Sequence, residues 1–282
     1  MEQGKMINKF KLITLTFLML FLLNMVSAQI EISREILFEL PAEVSSGLLG
    51  MRVSAGKVVF LNNLGKMIQF NLETNEAVSG KIRGQRLIDF DLILGQPVFL
   101  SDEGKLGGQV SGAWPKNGLA ASRIEAADEG VILTGGGRMH FLPQNATEPF
   151  RVKNFHFALP VNNGFLWSMR KDKSSGPWKV ALYDSYGNLM KEVYEFSADF
   201  APTGIEIGPT GPEDEMLLSA YEDNQRKIIL LGHNGYMMWK IDGPEKFCNR
   251  DLAFDDKGSL LVLEQNRDKV ILSRWKFAVP QG

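Results

Sequence analysis

The chain has 282 residues, 31 basic against 33 acidic, and is rich in glycine, with 28. A mildly acidic balance without basic clusters argues against nucleic acid as a partner, because phosphate contacts need concentrated Lys and Arg. Its one cysteine, Cys248, leaves no internal disulfide, and neither a Cys-x-x-Cys pair nor a His-rich tract signals zinc.

The first stretch carries Lys5, Lys9 and Lys11, then an apolar run from Leu12 to Leu23, then Val26-Ser27-Ala28. This is the pattern of a secretory leader cleaved after Ala28. The run is shorter than the roughly 20 residues of a membrane span. The expectation is therefore a secreted or periplasmic protein with a signal peptide over 1–28, one domain over 29–282, and no membrane span after cleavage. The leader removes three lysines and Glu2, so the mature part holds 28 basic against 32 acidic residues. Asn145-Ala146-Thr147 fits a glycosylation acceptor.

The mature chain opens with a strand: Ile30 and Ile32, then Ile36, Phe38 and Leu40, fall on alternate positions, and Pro41 ends it. Next comes a hairpin, Gly56-Lys-Val-Val-Phe-Leu61 and Lys66-Met-Ile-Gln-Phe70 around Asn62-Asn-Leu-Gly65. Its first apolar strand recurs as Val98–Leu100, Val131–Leu133, Phe165–Trp167, Met216–Leu218 and Leu260–Leu263. A glycine opens five of these six strands: Gly56, Gly95, Gly130, Gly164 and Gly258. A basic residue opens the strand after each turn: Lys66, Lys105, Arg138, Lys179, Lys227 and Lys269, spaced 39, 33, 41, 48 and 42 residues apart.

A period near 40 with several short strands per unit is the signature of propeller blades. No stretch of the mature chain keeps the three- and four-residue apolar spacing of helical repeats. The expected fold is all-β: a six-bladed β-propeller with four-stranded antiparallel blades. The last unit lacks chain for a fourth strand, and the spare strand at 30–40 is expected to supply it and close the ring. The unit Asp251-Leu-Ala-Phe-Asp-Asp-Lys-Gly-Ser-Leu-Leu-Val-Leu263 resembles the repeat of six-bladed propellers of the NHL-repeat kind. The resemblance implies that fold and leaves the function open.

In a propeller the first strand of each blade lines the central channel. Those strands bring Arg52, Asp89, Asp91, Glu125, His156, Glu206, Arg250 and Asp251 toward one axis, either as solvated polar lining or as a ligand site. Carboxylates converging from several blades can also hold a hard cation. The gluconolactonase-like propellers use such a cation, which makes metal-dependent hydrolysis the enzymatic alternative. Their Glu-Gly-Pro-aromatic opening is replaced here by Glu39-Leu-Pro-Ala-Glu-Val44. Gly-x-Ser-x-Gly does not occur, and His140, His156 and His233 fall on three different units, so no catalytic triad can be drawn. Neither a cofactor nor a committed metal site is expected. Two long inserts, 171–178 with Trp178 and 208–215 with Glu213 and Asp214, are the candidate partner-binding loops. The reading is an exported, non-catalytic binding module whose partner is another protein or a polar small molecule. A structural subunit of an envelope or extracellular assembly is the further alternative.

Overall fold

The computed structural model describes residues 31–108, 121–127, 130–135, 138–143, 150–153, 157–160, 166–171, 177–184, 188–196, 203–211, 215–232 and 235–278. The chain falls into two units: residues 34–275, and its two ends, 1–33 with 276–282. Of the ends, Glu31–Ser33 and Lys276–Ala278 are described, as extended strand.

Six antiparallel sheets account for nearly all of the regular structure among the described residues. The N-terminal strand is β1 (Glu31–Leu40), and after it Pro41 starts a single helical turn, α1 (Ala42–Ser45), which anchors Val44 in the core. The sequence pattern contains no helical period there, because one turn is too short to display one. The first four-stranded sheet is β2 (Leu48–Ser54), β3 (Lys57–Asn62), β4 (Lys66–Asn71) and β5 (Ala77–Lys81), in that order. The second shows three strands, β6 (Leu87–Ile93), β7 (Gln96–Ser101) and β8 (Leu106–Gly108), and its expected fourth lies outside the described residues. The third is β9 (Arg123–Ala127), β10 (Gly130–Gly135), β11 (Arg138–Pro143) and β12 (Phe150–Lys153). The fourth is β13 (Phe157–Pro160), β14 (Leu166–Lys171), β15 (Trp178–Tyr183) and β16 (Leu189–Glu195). The fifth is β17 (Thr203–Thr210), β18 (Met216–Glu222), β19 (Gln225–Leu231) and β20 (Met237–Asp242). The last sheet joins β21 (Leu252–Phe254), β22 (Leu260–Asn266) and β23 (Lys269–Ala278), with β1 hydrogen-bonded beside β23. Two ion pairs cross that junction, Lys269–Glu39 at 2.8 Å and Arg274–Glu35 at 3.5 Å.

Consecutive strands pair as meanders, with β1 added beside β23 in the last sheet, so the recurring apolar runs fall on second strands. Val58–Leu61, Val131–Leu133, Met216–Leu218 and Leu260–Leu263 are all buried. Packing between sheets is the source of cohesion: Phe60, Phe70, Val58 and Met51 cluster with Leu261, Leu263 and Leu272.

The periodic turn markers have a hydrogen-bonding cause. Asn62 Oδ1 accepts from the amides of Leu64 (3.1 Å) and Lys66 (2.9 Å), fixing the turn from which the basic residue emerges. Ser101 Oγ does the same for the Lys105 amide at 3.1 Å, and in the turn from β15 to β16 Asp184 Oδ1 accepts from the Asn188 amide at 2.8 Å. No helix among the described residues is long and apolar enough to cross a membrane.

Candidate functional site

The polar residues of the first strands meet at the inner edge of the sheets. Asp89 and Asp91 sit two apart on β6, so both side chains leave the same face. That face meets β9, which pairs only with β10 and so has one open edge. Asp89 Oδ2 accepts from the Ile124 amide at 2.8 Å, and Asp91 Oδ2 from the Ala126 amide at 2.7 Å. Two side-chain carboxylates thus satisfy backbone donors that a further strand would otherwise take.

Three arginines complete the cluster. Arg250 donates from Nε to Asp89 Oδ1 at 2.6 Å and from Nη2 to Asp89 Oδ2 and the Ile124 carbonyl. Its Nη1 reaches both Glu125 oxygens, at 3.0 and 3.1 Å. Arg123, two residues before Glu125 on β9, donates from Nε to Glu125 Oε1 at 2.7 Å. Arg52, on β2, pairs through Nε with Asp91 Oδ1 at 2.8 Å and lies 3.7 Å from Glu125 Oε2 through Nη2. Its guanidinium also stands over the Phe90 ring, 5.7 Å from the centroid. Three guanidiniums therefore face three carboxylates, and the formal charge of the cluster closes on itself.

Burial sets its electrostatics. Asp89, Glu125 and Arg250 are 4, 3 and 4 % exposed. Loss of solvent pushes the Asp89 carboxyl up to about 8, against the pull of Arg52 and Arg123. The Glu125 carboxyl is raised for the same reason, with Arg123 and then Arg52 pulling it down.

A second buried pair lies close by in sequence. Arg226 clamps Asp251 with two bonds of 2.7 and 2.8 Å, and its Nε donates to Ser219 Oγ at 2.8 Å. The backbone carbonyl of Arg250 accepts from the Met51 amide at 2.9 Å. Gly50 permits that approach: with φ +140, a Cβ there would lie 2.5 Å from Arg250 Cβ and 2.6 Å from its carbonyl oxygen.

Of the residues expected along the channel, Arg52, Asp89, Asp91, Glu125 and Arg250 come together in one network, and Asp251 sits in the adjacent pair. Asp89, Glu125, Arg250 and Asp251 are buried, and the network's oxygens face guanidinium and amide donors in place of a solvated lining. Arg250 and Asp251 precede their strand, since β21 begins at Leu252. Glu206 is on β17 opposite Ser219, and His156 lies outside the described residues. Glu213 and Asp214 also lie outside them. Trp178, expected on an exposed loop, is half-buried at the start of β15 and packs on the cluster of Val180, Phe196 and Leu218. The loop ends at Pro177, so the indole falls on a strand with a neighbouring sheet to cover it. Arg123 is the member that the sequence reading missed, although Arg-x-Glu spacing places both side chains on one strand face. Among the described residues no group of three His, Cys, Asp or Glu is arranged to hold a metal ion. Cys248 is half-buried, and burial pushes its thiol up, away from nucleophilic chemistry.

No family model and no curated protein sequence matches this chain. Similar solved structures include the beta-propeller domain of Cps50 (Swd1) from Myceliophteria thermophila, at 10 % identity and a TM-score of 0.48. That match covers 80 % of this chain and 83 % of the other. BamB from Moraxella catarrhalis is similar at 14 % identity and a TM-score of 0.43, over 82 % of this chain and 85 % of its own. Hydrazine synthase from Kuenenia stuttgartiensis is similar at 10 % identity and a TM-score of 0.50, over 79 % and 75 %. These are likenesses of fold alone.

Proposed function

We propose that the mature chain is an exported, non-catalytic β-propeller that binds another protein. The architecture in this reading is a six-bladed propeller of the NHL-repeat-like kind, with β1 as the fourth strand beside β23. One contrast carries the functional part. The polar groups at the inner edge satisfy one another, whereas the most exposed large apolar side chains among the described residues, Leu94 at 91 % and Tyr236 at 76 %, stand between strands, Leu94 after β6 and Tyr236 before β20. A self-paired polar network with apolar side chains left open to solvent on connecting segments suits a contact surface, where a few such anchors carry most of the binding energy. Asp89, Asp91 and Glu125 spend their oxygens on guanidinium and amide donors, which supports a holding role over a cation-binding one.

The test is cross-linking and recovery of partners by the mature chain, starting at Gln29, from the extracytoplasmic fraction of its native cells. Saturable recovery of one protein, lost on Leu94→Asp with Tyr236→Asp and retained on Glu43→Gln, is the expected result. Turnover of lactones that stops on chelation, with no saturable partner, would replace this reading with the hydrolase. N-terminal sequencing of the native protein should begin at Gln29, and an intact Met1 would remove export.

A further inference from the structure

The outer strands of the fourth and fifth sheets carry an unusual set of side chains. Among the described residues, Met190, Met237 and Met238 are 55, 52 and 58 % exposed, with Leu189 and Tyr236 exposed beside them. Met51, Met139 and Met216, by contrast, are fully buried. For Met190 and Met238 the exposure has a backbone cause, while Met237 is exposed at a regular pairing with Leu231. On β16 the register with β15 runs Leu182↔Lys191 and then Tyr183↔Leu189, leaving Met190 as the extra residue of a bulge. On β20 it runs Leu230↔Trp239 and then Leu231↔Met237, so Met238 is again the extra residue. A bulge in an edge strand turns its extra side chain out of the regular pleat and spoils the edge for strand addition. The two outer strands adjoin: a Cβ at Gly235, one residue before Tyr236, would lie 2.2 Å from the Val193 carbonyl of β16.

We infer that Met190, Met237 and Met238 form a modification site for two-electron oxidants of the peroxide class. The thioether sulfur attacks one peroxide oxygen, the O–O bond breaks, and an S–O bond forms. Sulfur gives up two electrons, and the departing oxygen takes the proton and leaves as water or an alcohol. Susceptibility follows exposure, and the product is a polar sulfoxide that sulfoxide reductases return to the thioether. Because these three side chains lie outside the core, oxidation changes an apolar patch into a polar one and leaves the packing between sheets intact. This inference stands independently of the binding role proposed above.

The experiment treats the folded mature chain with hydrogen peroxide and follows each methionine by peptide mass spectrometry. The expected result is sulfoxide at these three positions at least about tenfold faster than at Met51, Met139 and Met216. The near-ultraviolet circular dichroism and melting temperature stay unchanged, and binding of an apolar dye falls. Comparable rates at all six positions, or loss of the tertiary signal as the three oxidise, would overturn the proposal. The variant with Met190→Leu, Met237→Leu and Met238→Leu should lose the fast phase and keep its dye binding under peroxide. A fast phase that survives in it would place the reactive thioethers elsewhere and also overturn the assignment. If that variant does not fold, the rates in the unaltered chain decide alone.

Discussion

Replacing Arg250 by Met removes the one cation that touches both Asp89 and Glu125. The two carboxylates do not suffer equally. Glu125 keeps Arg123 at 2.7 Å and Arg52 at 3.7 Å, whereas Asp89 keeps the Ile124 amide as a hydrogen-bond donor and only the longer-range pull of Arg52 and Arg123. The loss therefore falls on one buried carboxylate, and breaking such a pair from one side costs about 3–5 kcal/mol. For a chain of this size that lowers the melting temperature by on the order of 10 °C. Asp89 can relieve the strain by taking a proton, since burial already pushes it up to about 8. The penalty should accordingly be larger at about pH 9 than at about pH 6. Adding Asp89→Asn to Arg250→Met removes the stranded charge and should recover roughly half of the loss at the higher pH. Urea unfolding of the mature chain and the variants at both pH values measures all of this. A loss below about 1 kcal/mol at both pH values, or a double variant less stable than Arg250→Met alone, would refute the assignment of Arg250 as the charge that settles Asp89.

The unaltered chain should show the linked pH dependence. Raised folded-state carboxyls hold more protons than the unfolded chain, so the stability Asp89 and Glu125 contribute is present at about pH 4 and falls as pH rises toward about 8. Asp89→Asn should flatten that slope in a series of unfolding curves, and an unchanged slope would place the titration elsewhere. Gly50→Ala puts a Cβ against the Arg250 backbone and should cost about 1–3 kcal/mol in the same assay. A melting curve unmoved by that change would show that the Met51–Arg250 approach can relax freely. Chelator should leave the melt of the purified chain unchanged, because Asp89, Asp91 and Glu125 are held by arginine and amide donors. A clear drop on chelation would reveal a cation bound to the native state.

Much of the architecture was legible because it repeats. The basic residue after each turn marks the third strand of a sheet, and the apolar run before it marks the second. Asn62 and Ser101 show why the marker persists at Lys66 and Lys105, since each holds its turn by the same side-chain bond. The inner-edge residues were legible too, as the polar members of first strands. Their mutual pairing was not: Arg52, Asp89, Glu125 and Arg250 are far apart in sequence, and nothing local says that their charges cancel. The partial cover of Trp178 was not legible, because loop length says nothing about which neighbouring sheet covers the loop's last residue. The exposed methionines stayed hidden because bulges are register events. They depend on two strands at once and leave no periodic trace in either.

The bond between Arg250 and Asp89 spans 161 residues. A chain whose first three sheets have emerged, whether from a ribosome or from a translocation channel, does not yet offer the cation that two of their buried carboxylates await. Until residue 250 emerges, Asp89 can sit at the inner edge only as a neutral acid or an unmatched anion. Completion of the fold is thereby deferred to the last tenth or so of the chain's emergence, where formation of such long-range contacts is slow and the incomplete chain is exposed to aggregation. A chain cut short before Arg250 should behave as an unfinished object and not as a smaller stable one, which sets this protein apart from repeat arrays that tolerate the loss of a terminal unit.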